Sequence, residues 1–214
     1  MGELFTFENG VILLGLIYSI CLHEAGHAYA SEWLGDDTPR RAGKLTFNPI
    51  PHIETSPFAT LFLPVIVFFM TNGAGIIGGG ACPVNPYNLR NPRRDEFLVA
   101  GAGPLMNLWL CGCCTVVMIW ADGPTLTPLL YRLGLFNLFL AVFNLLPIPP
   151  MDGSHMLASV IPGLRAPFRK IGGGVGLILV FVVGSMIMYE IFAPIRVGYH
   201  DLLGYLDVRV PLRS

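Results

Sequence analysis

The sequence predicts an all-α polytopic membrane protein with about four spanning helices plus a re-entrant, partly β or extended segment. The whole forms a single membrane-embedded domain over residues 1–214. Three observations carry this expectation. The chain is 53% hydrophobic and 13% charged, with a mean hydropathy of +0.62, too apolar for a water-soluble domain of this length. Its apolar residues fall into runs long enough to cross a hydrocarbon core of about 30 Å at about 1.5 Å per residue. Its basic residues collect in three polar segments, each holding three: Arg40, Arg41 and Lys44; Arg90, Arg93 and Arg94; Arg165, Arg169 and Lys170. The N-terminus and the turn at Asp122 hold none. A net charge of −1 and the lack of a basic block give no sign of a nucleic-acid partner.

Asn9-Gly10 opens the first run, Val11 to Leu34, and Gly35-Asp36-Asp37 ends it. Polar chain follows to Pro57, with Lys44 to Phe47 its one short strand candidate. The next apolar run, Phe58 to Met70, is interrupted at Pro64 and gives way to the glycine-rich stretch Gly73 to Gly80 and then to Ala81-Cys82-Pro83-Val84-Asn85-Pro86. If Phe58 to Gly80 crossed fully, its two flanking basic segments would face opposite sides of the membrane. If it dips in and returns, all three basic segments are cytoplasmic, as the excess of Lys and Arg in cytoplasmic loops requires. The second arrangement is expected, although it leaves Arg196, Arg209 and Arg213 on the outside. Non-helical chain at membrane depth is tolerated beside a watery cavity, so the re-entrant piece marks the neighbourhood of a site. Phe97 to Ala121 and Leu129 to Leu146 are further spans joined at Asp122-Gly123-Pro124. Pro147 to Pro150 breaks the second of them, a short amphipathic piece runs to Ile161, and Ile171 to Phe192 reads as the last span. The five cysteines show no C-x-x-C pairing and read as small packing residues. The first run follows Glu3 and Glu8 instead of basic residues, so it is expected to stay in the protein as a span and not to be removed as a signal peptide.

Inside the first run stands His23-Glu24-Ala25-Gly26-His27. Ionisable groups within a membrane helix cost roughly 2.5–3.5 kcal/mol each on insertion scales, so such a cluster marks a functional site. His23 and His27, four apart, project from one helix face at the spacing by which two imidazoles share a zinc ion. Glu24, one residue on from His23, points away from that shared face and is placed to take a proton from a metal-held water. A catalytic zinc usually has three protein ligands and an open position, so one ligand is missing. Asp152, at the cytoplasmic end of its run and followed by Gly153, fits that place by depth. It fits equally as a cap on the helix from Ser154 to Ile161. His52 and His155 have no partner at ligand spacing, and Asn107 reads as interhelical packing.

These pieces resemble the site-2 protease family of intramembrane zinc metalloproteases. The resemblance is carried by His23-Glu24-Ala25-Gly26-His27, Gly43-Lys44-Leu45-Thr46-Phe47-Asn48-Pro49, Pro83-Val84-Asn85-Pro86, Ala102-Gly103-Pro104-Leu105-Met106-Asn107, and Phe143-Asn144-Leu145-Leu146-Pro147 ahead of Met151-Asp152-Gly153. It implies that His23, His27 and Asp152 bind one Zn2+, that Glu24 is the general base, and that Asn144 holds substrate or the developing oxyanion. Where the commoner family ending is Asn-Pro-Asp-Gly, this chain has Pro150-Met151-Asp152-Gly153. It also implies single-span membrane-protein substrates and a membrane-embedded β-element, here Ala81 to Asn85, that pairs with extended substrate, while the topology read from the basic segments places the active site toward the cytoplasmic side of the cell membrane. The length leaves no room for PDZ or cystathionine-synthase-type domains, so a minimal core is expected.

Two other classes fit parts of the pattern: a membrane metal-binding or ion-transport protein, and a proteolytically inactive relative. A transport site would use Glu24 as a ligand, and the complete set of His23, Glu24, His27 and Asp152 argues against inactivity.

Overall fold

The computed structural model describes residues 6–71, 80, 82–121, 123–171, 185–208 and 210, with side chains in the last helix described from Glu190 onward. Its first helix, α1 (Phe7–Trp33), begins where the Thr6 hydroxyl accepts the Asn9 N–H at 3.2 Å and Glu8 sits in the positive first turn. It ends at Leu34, where Gly35 takes a positive φ of 110° that L side chains rarely adopt. Two short helices follow, α2 (Thr38–Arg41) and α3 (Pro49–Thr55), the latter capped by the Asn48 side chain on Ile50 N–H. After α3 the chain bends by 114° into a π-helical turn at Phe58–Phe62 that runs on into α4 (Leu63–Met70). The long helix α5 (Pro92–Trp120) starts with proline at its first position, where the missing N–H costs nothing. Helix α6 (Leu126–Asn144) returns, and α7 (Asp152–Val160), α8 (Arg165–Ile171) and α9 (Ser185–Tyr205) complete the described chain.

Three helices, α1, α5 and α6, are long and apolar enough to cross a membrane, and the bent pair of α3 with 58–70 passes the same test jointly. The chain is therefore an all-α, multi-pass integral membrane protein. Helix α1 is central: 72% of its apolar window is buried inside the protein, against 33% for α5 and α6, whose outer faces are left for lipid. Helix α5 packs along α1, α6 and α7, and Phe68 of α4 closes against Ile12 and Leu16 of α1.

Several local expectations change. Pro64 does not interrupt its run: it lies at the start of α4, behind a π turn that needs no N–H from it. Lys44 to Phe47 is not a strand: 45–47 are bends, no described residue pairs with them as an edge, and Asn48 already commits the chain to α3. Among the described residues there is no strand, and Cys82 to Asn85 runs without ladder partners. Residues 72–79 and 81 of the re-entrant expectation, and 172–184 of the expected last span, lie outside the described residues; α9 continues past Phe192 to Tyr205. Cys21 and Cys111 are buried thiols, as packing residues should be.

At the end of α1 the Asp36 carboxylate is fully buried. Burial alone raises its pKa, but hydrogen bonds from Thr38, Asn85 and Asn88 outweigh that and hold it at about 2, below the ordinary 3.8. A carboxylate with a depressed pKa stabilises the fold above its unfolded value, and that contribution fades as pH falls through the folded one. Protection of the 36–41 turn from pepsin is therefore expected to persist below pH of about 3.8 and to be lost as pH approaches about 2. Loss of protection already near the ordinary value would show that Asp36 is not held this way.

Candidate metal centre

The site is built from α1, α5 and α7. His23, Glu24 and His27 are all buried in α1, at 6%, 5% and 7% exposure. The rings of His23 and His27 meet edge to face, centroids 4.7 Å apart, with their Nε2 atoms 3.1 Å from each other. Asp152, in the first turn of α7, closes the group: one carboxylate oxygen lies 3.1 Å from His23 Nε2 and the other 3.4 Å from His27 Nε2. All three ligand-type atoms fall within 4.8 Å of one another. Asp152 is carried there by a tight turn, because a Cβ on Gly153 would stand 2.1 Å from the Leu145 carbonyl oxygen. The capping alternative is set aside by the same geometry. Met151 is the cap residue of α7, and the Asp152 carboxylate faces the histidines.

The proton positions follow from the hydrogen bonds behind the rings. His27 Nδ1 lies 2.7 Å from the Val99 carbonyl, which only accepts, so Nδ1 carries a hydrogen. His23 Nδ1 lies 2.6 Å from Asn107 Oδ1. The orientation of that amide is fixed by its neighbours. Asn137 Nδ2 donates to the Leu133 carbonyl at 2.9 Å and to Ser19 Oγ, so Asn137 Oδ1 is the atom facing Asn107 and accepts from its Nδ2 at 2.9 Å. Asn107 therefore presents oxygen to His23, and His23 also donates from Nδ1. With both Nδ1 atoms occupied as donors, each ring turns its Nε2 toward the other and toward the Asp152 carboxylate, and a neutral ring presents a lone pair there. Two Nε2 atoms and a carboxylate converging in a buried place form a donor set that a cation between them would satisfy. Two imidazoles and one carboxylate are the donor set of a catalytic zinc with an open position.

A cavity of about 400 Å³ opens on the group. Glu24, His27 and Asp152 line it together with Cys82 and Val84, and Glu96 and His155 contribute further polar groups. Of the residues singled out in the sequence, the structure gathers His23, His27 and Asp152 into one cluster with Glu24 beside it on the cavity. It leaves Asn144 apart. Asn144 ends α6 with its amide donating to the Leu140 carbonyl at 2.9 Å, and it is not among the residues lining the cavity. His52 is buried with Nε2 against the Thr46 carbonyl, away from the cluster. His155, set aside on spacing, does line the cavity. Asn107 is more than packing, and Asn137 and Ser19 behind it were not anticipated. The available signal was two asparagines inside spanning runs, where an amide needs partners.

A multi-pass membrane protein with a buried His-His-Asp cluster, a neighbouring glutamate and an adjoining cavity has the make-up of an intramembrane metallohydrolase. Comparison with known proteins carries this further. Residues 121–183 match the model of peptidase family M50. The chain is 33% identical over 205 residues to "Putative zinc metalloprotease YwhC" of Bacillus subtilis, covering 90% of this chain and 89% of that protein. It is 33% identical over 167 residues to "Putative zinc metalloprotease Rip2" of Mycobacterium tuberculosis, 75% of this chain and 60% of that longer protein. It is 27% identical over 152 residues to "Zinc metalloprotease MJ0392" of Methanocaldococcus jannaschii, 71% of this chain and 34% of that protein. No solved structure matches the chain significantly. The chain belongs to peptidase family M50, the site-2 protease family of intramembrane zinc metalloproteases.

Proposed function

We propose that His23, His27 and Asp152 hold the zinc ion of this peptidase, that Glu24 is its general base, and that it cuts single-span membrane proteins within or next to their membrane segments. The observation that supports this reading most is the convergence of two imidazole Nε2 atoms and a carboxylate beside a cavity that Glu24 also lines. Zinc bound there supplies a Lewis acid for the scissile carbonyl and lowers the pKa of water to about 7. The chain's own residues do the rest. Asn107 and the Val99 carbonyl hold the two imidazoles in one tautomer and one orientation from behind. The Glu24 carboxylate accepts a proton from the attacking water and returns it to the departing nitrogen. Asn144 serves the substrate side, giving up its bond to Leu140 when a peptide is present. Substrate must unwind before it is cut, since a helix pairs all its backbone groups. The segment 81–85 is the edge along which the extended chain lies.

Residues 1–214 act as one membrane-embedded domain with four spans and a re-entrant segment, in the cell membrane, the site opening toward the cytoplasm. The 114° bend before Phe58 and the three basic segments support this topology. Cysteines introduced at Arg41 and Arg93 in a cysteine-depleted protein should both resist a membrane-impermeant thiol reagent added from outside. Labelling of one and not the other would mean a full crossing between them.

The function is tested by co-expressing the protein with single-span membrane proteins of its own organism and scoring cleavage, with zinc measured on the purified enzyme. Close to one zinc per chain is expected, with sharp loss in His23→Ala, His27→Ala and Asp152→Ala together with cleavage. An Asp152→Ala protein with full zinc would remove Asp152 from the centre.

A further inference from the structure

Asp36 is a buried carboxylate that the proposed chemistry does not use. It lies in the turn between α1 and α2, shows no exposure, and among the described residues has no cation among its hydrogen-bond partners. One oxygen accepts from Ser31 Oγ at 2.9 Å and from the Asn85 backbone N–H at 2.8 Å. The other accepts from the Thr38 N–H at 3.1 Å, the Thr38 hydroxyl at 2.5 Å and Asn88 Nδ2 at 3.0 Å. These donors come from three separate pieces of chain: the last turn of α1, the start of α2, and the segment 85–88. A charge taken wholly out of water is costly, and among the described residues it is these hydrogen-bond donors that offset it.

The third piece matters most, because residues 82, 84 and 86 just before and within it line the same cavity as Glu24 and Asp152. Among the described residues this connecting segment has no ladder partners, so its side-chain and backbone ties to the end of α1 matter for its distance from the metal cluster. Two further ties work with Asp36. The Arg90 N–H donates to the Leu34 carbonyl at 3.1 Å, and Leu89 packs with Leu34 and Val99, with Val84 against them. Val99 is also the residue whose carbonyl orients His27. The cavity wall and the metal-cluster backing thus share one small apolar cluster, and Asp36 is its polar clasp.

We propose that Asp36 is a positioning residue of this peptidase: by gathering donors from Ser31, Thr38, Asn85 and Asn88 it fixes the 82–88 wall against the end of α1, and so sets the width of the cavity that receives an extended peptide. Asp36 acts through the wall and touches no reacting atom. Its loss therefore weakens peptide binding and leaves the metal and the proton-transfer chemistry in place. The proposal rests on the cavity being the peptide site, and its test separates the two statements.

The test uses full-length protein in detergent with Cys82 as its sole cysteine, so that alkylation by N-ethylmaleimide reports how firmly the wall is held. A quenched fluorogenic nonapeptide of leucine, alanine and glycine serves as an already extended substrate. In Asp36→Asn one carboxylate oxygen becomes an NH2 group and faces donors on whichever side it turns. Cys82 alkylation should accelerate by about tenfold or more, the shift expected when a charged acceptor leaves a local opening equilibrium. KM for the peptide should rise by a similar factor, with kcat within about twofold and zinc near one per chain. Asn88→Ala removes one donor and leaves the carboxylate, and should move alkylation and KM the same way by a smaller amount. If Asp36→Asn fails to retain zinc, Asn88→Ala decides on the same readouts. Unchanged alkylation and KM in the variants that retain zinc would overturn the proposal, as would a fall in kcat with KM unmoved. If the wild-type protein cuts no peptide, the cavity reading fails, and the alkylation rates still decide whether Asp36 holds the wall.

Discussion

Glu24→Gln is expected to keep zinc near one per chain and to lose cleavage by about 10²–10⁴-fold, the usual range for a general acid–base group, or more because one carboxylate serves both proton transfers. The side chain is buried and lines the cavity beside Asp152, and the ligand-type atoms that converge belong to His23, His27 and Asp152 without it. Gln preserves the volume and cannot accept the proton, so the fold and the metal are left as they were. Removing an ionisable group from a spanning helix should leave stability no lower. Zinc content, substrate co-purification and cleavage are measured on one preparation. Zinc loss would make Glu24 a ligand, and undiminished cleavage would end the mechanism proposed for it.

The part of this site that was legible in the sequence is the part held within one helix. The i, i+4 spacing of His23 and His27 is a property of α1 alone, and the cost of burying Glu24 marks it without reference to any other element. Asp152 was legible only by depth. Its direction depends on the Gly153 approach to the Leu145 carbonyl, which no local pattern encodes, so the capping alternative stayed open until the carboxylate was seen against the histidines. Asn107 was misjudged for a related reason: an asparagine in a span needs partners, but whether it meets a lipid-side neighbour or His23 is set by the rotation of α5 against α1. Spans are recognisable from length and hydropathy, and α1, α5 and α6 follow the expected runs closely. Short pieces are decided by partners. Lys44 to Phe47 has strand-forming residues and, among the described residues, no strand to pair with, and Pro64 is absorbed by a π turn that hydropathy does not register. Asp36 read only as part of the polar end of the first run. Its five donors come from 31, 38, 85 and 88, and the two distant ones become neighbours only when the chain returns past the end of α1.

Gly103→Ala is expected to cost the protein its zinc although it removes no ligand and no polar atom. A Cβ at Gly103 would stand 2.4 Å from His27 Nε2 and 2.5 Å from His23 Nε2, with His27 Cε1 at 2.6 Å. The new methyl group therefore occupies the place where the two lone pairs meet. The rings cannot step back, since Asn107 holds His23 and the Val99 carbonyl holds His27 from the far side. Nor can the methyl group move, because it is fixed to the backbone of α5, which packs along α1. Either the rings rotate and give up their Nδ1 bonds, or α1 and α5 part. Both routes should lower zinc affinity by at least about 10–100-fold, the range seen when groups that orient ligands are disturbed. Two other glycines of α5 provide the comparison. A Cβ at Gly101 would meet Met156 Cε at an ordinary 3.6 Å, and one at Gly112 would meet nothing within 4 Å. Gly101→Ala and Gly112→Ala should keep zinc near one per chain, and each should gain roughly 0.5–1 kcal/mol of helix stability from the exchange. Zinc analysis of the three purified variants, with thermal unfolding in the same detergent, makes the comparison. Full zinc and full cleavage in Gly103→Ala would mean that His23 and His27 do not converge over this glycine, and the centre would have to be placed elsewhere in the protein.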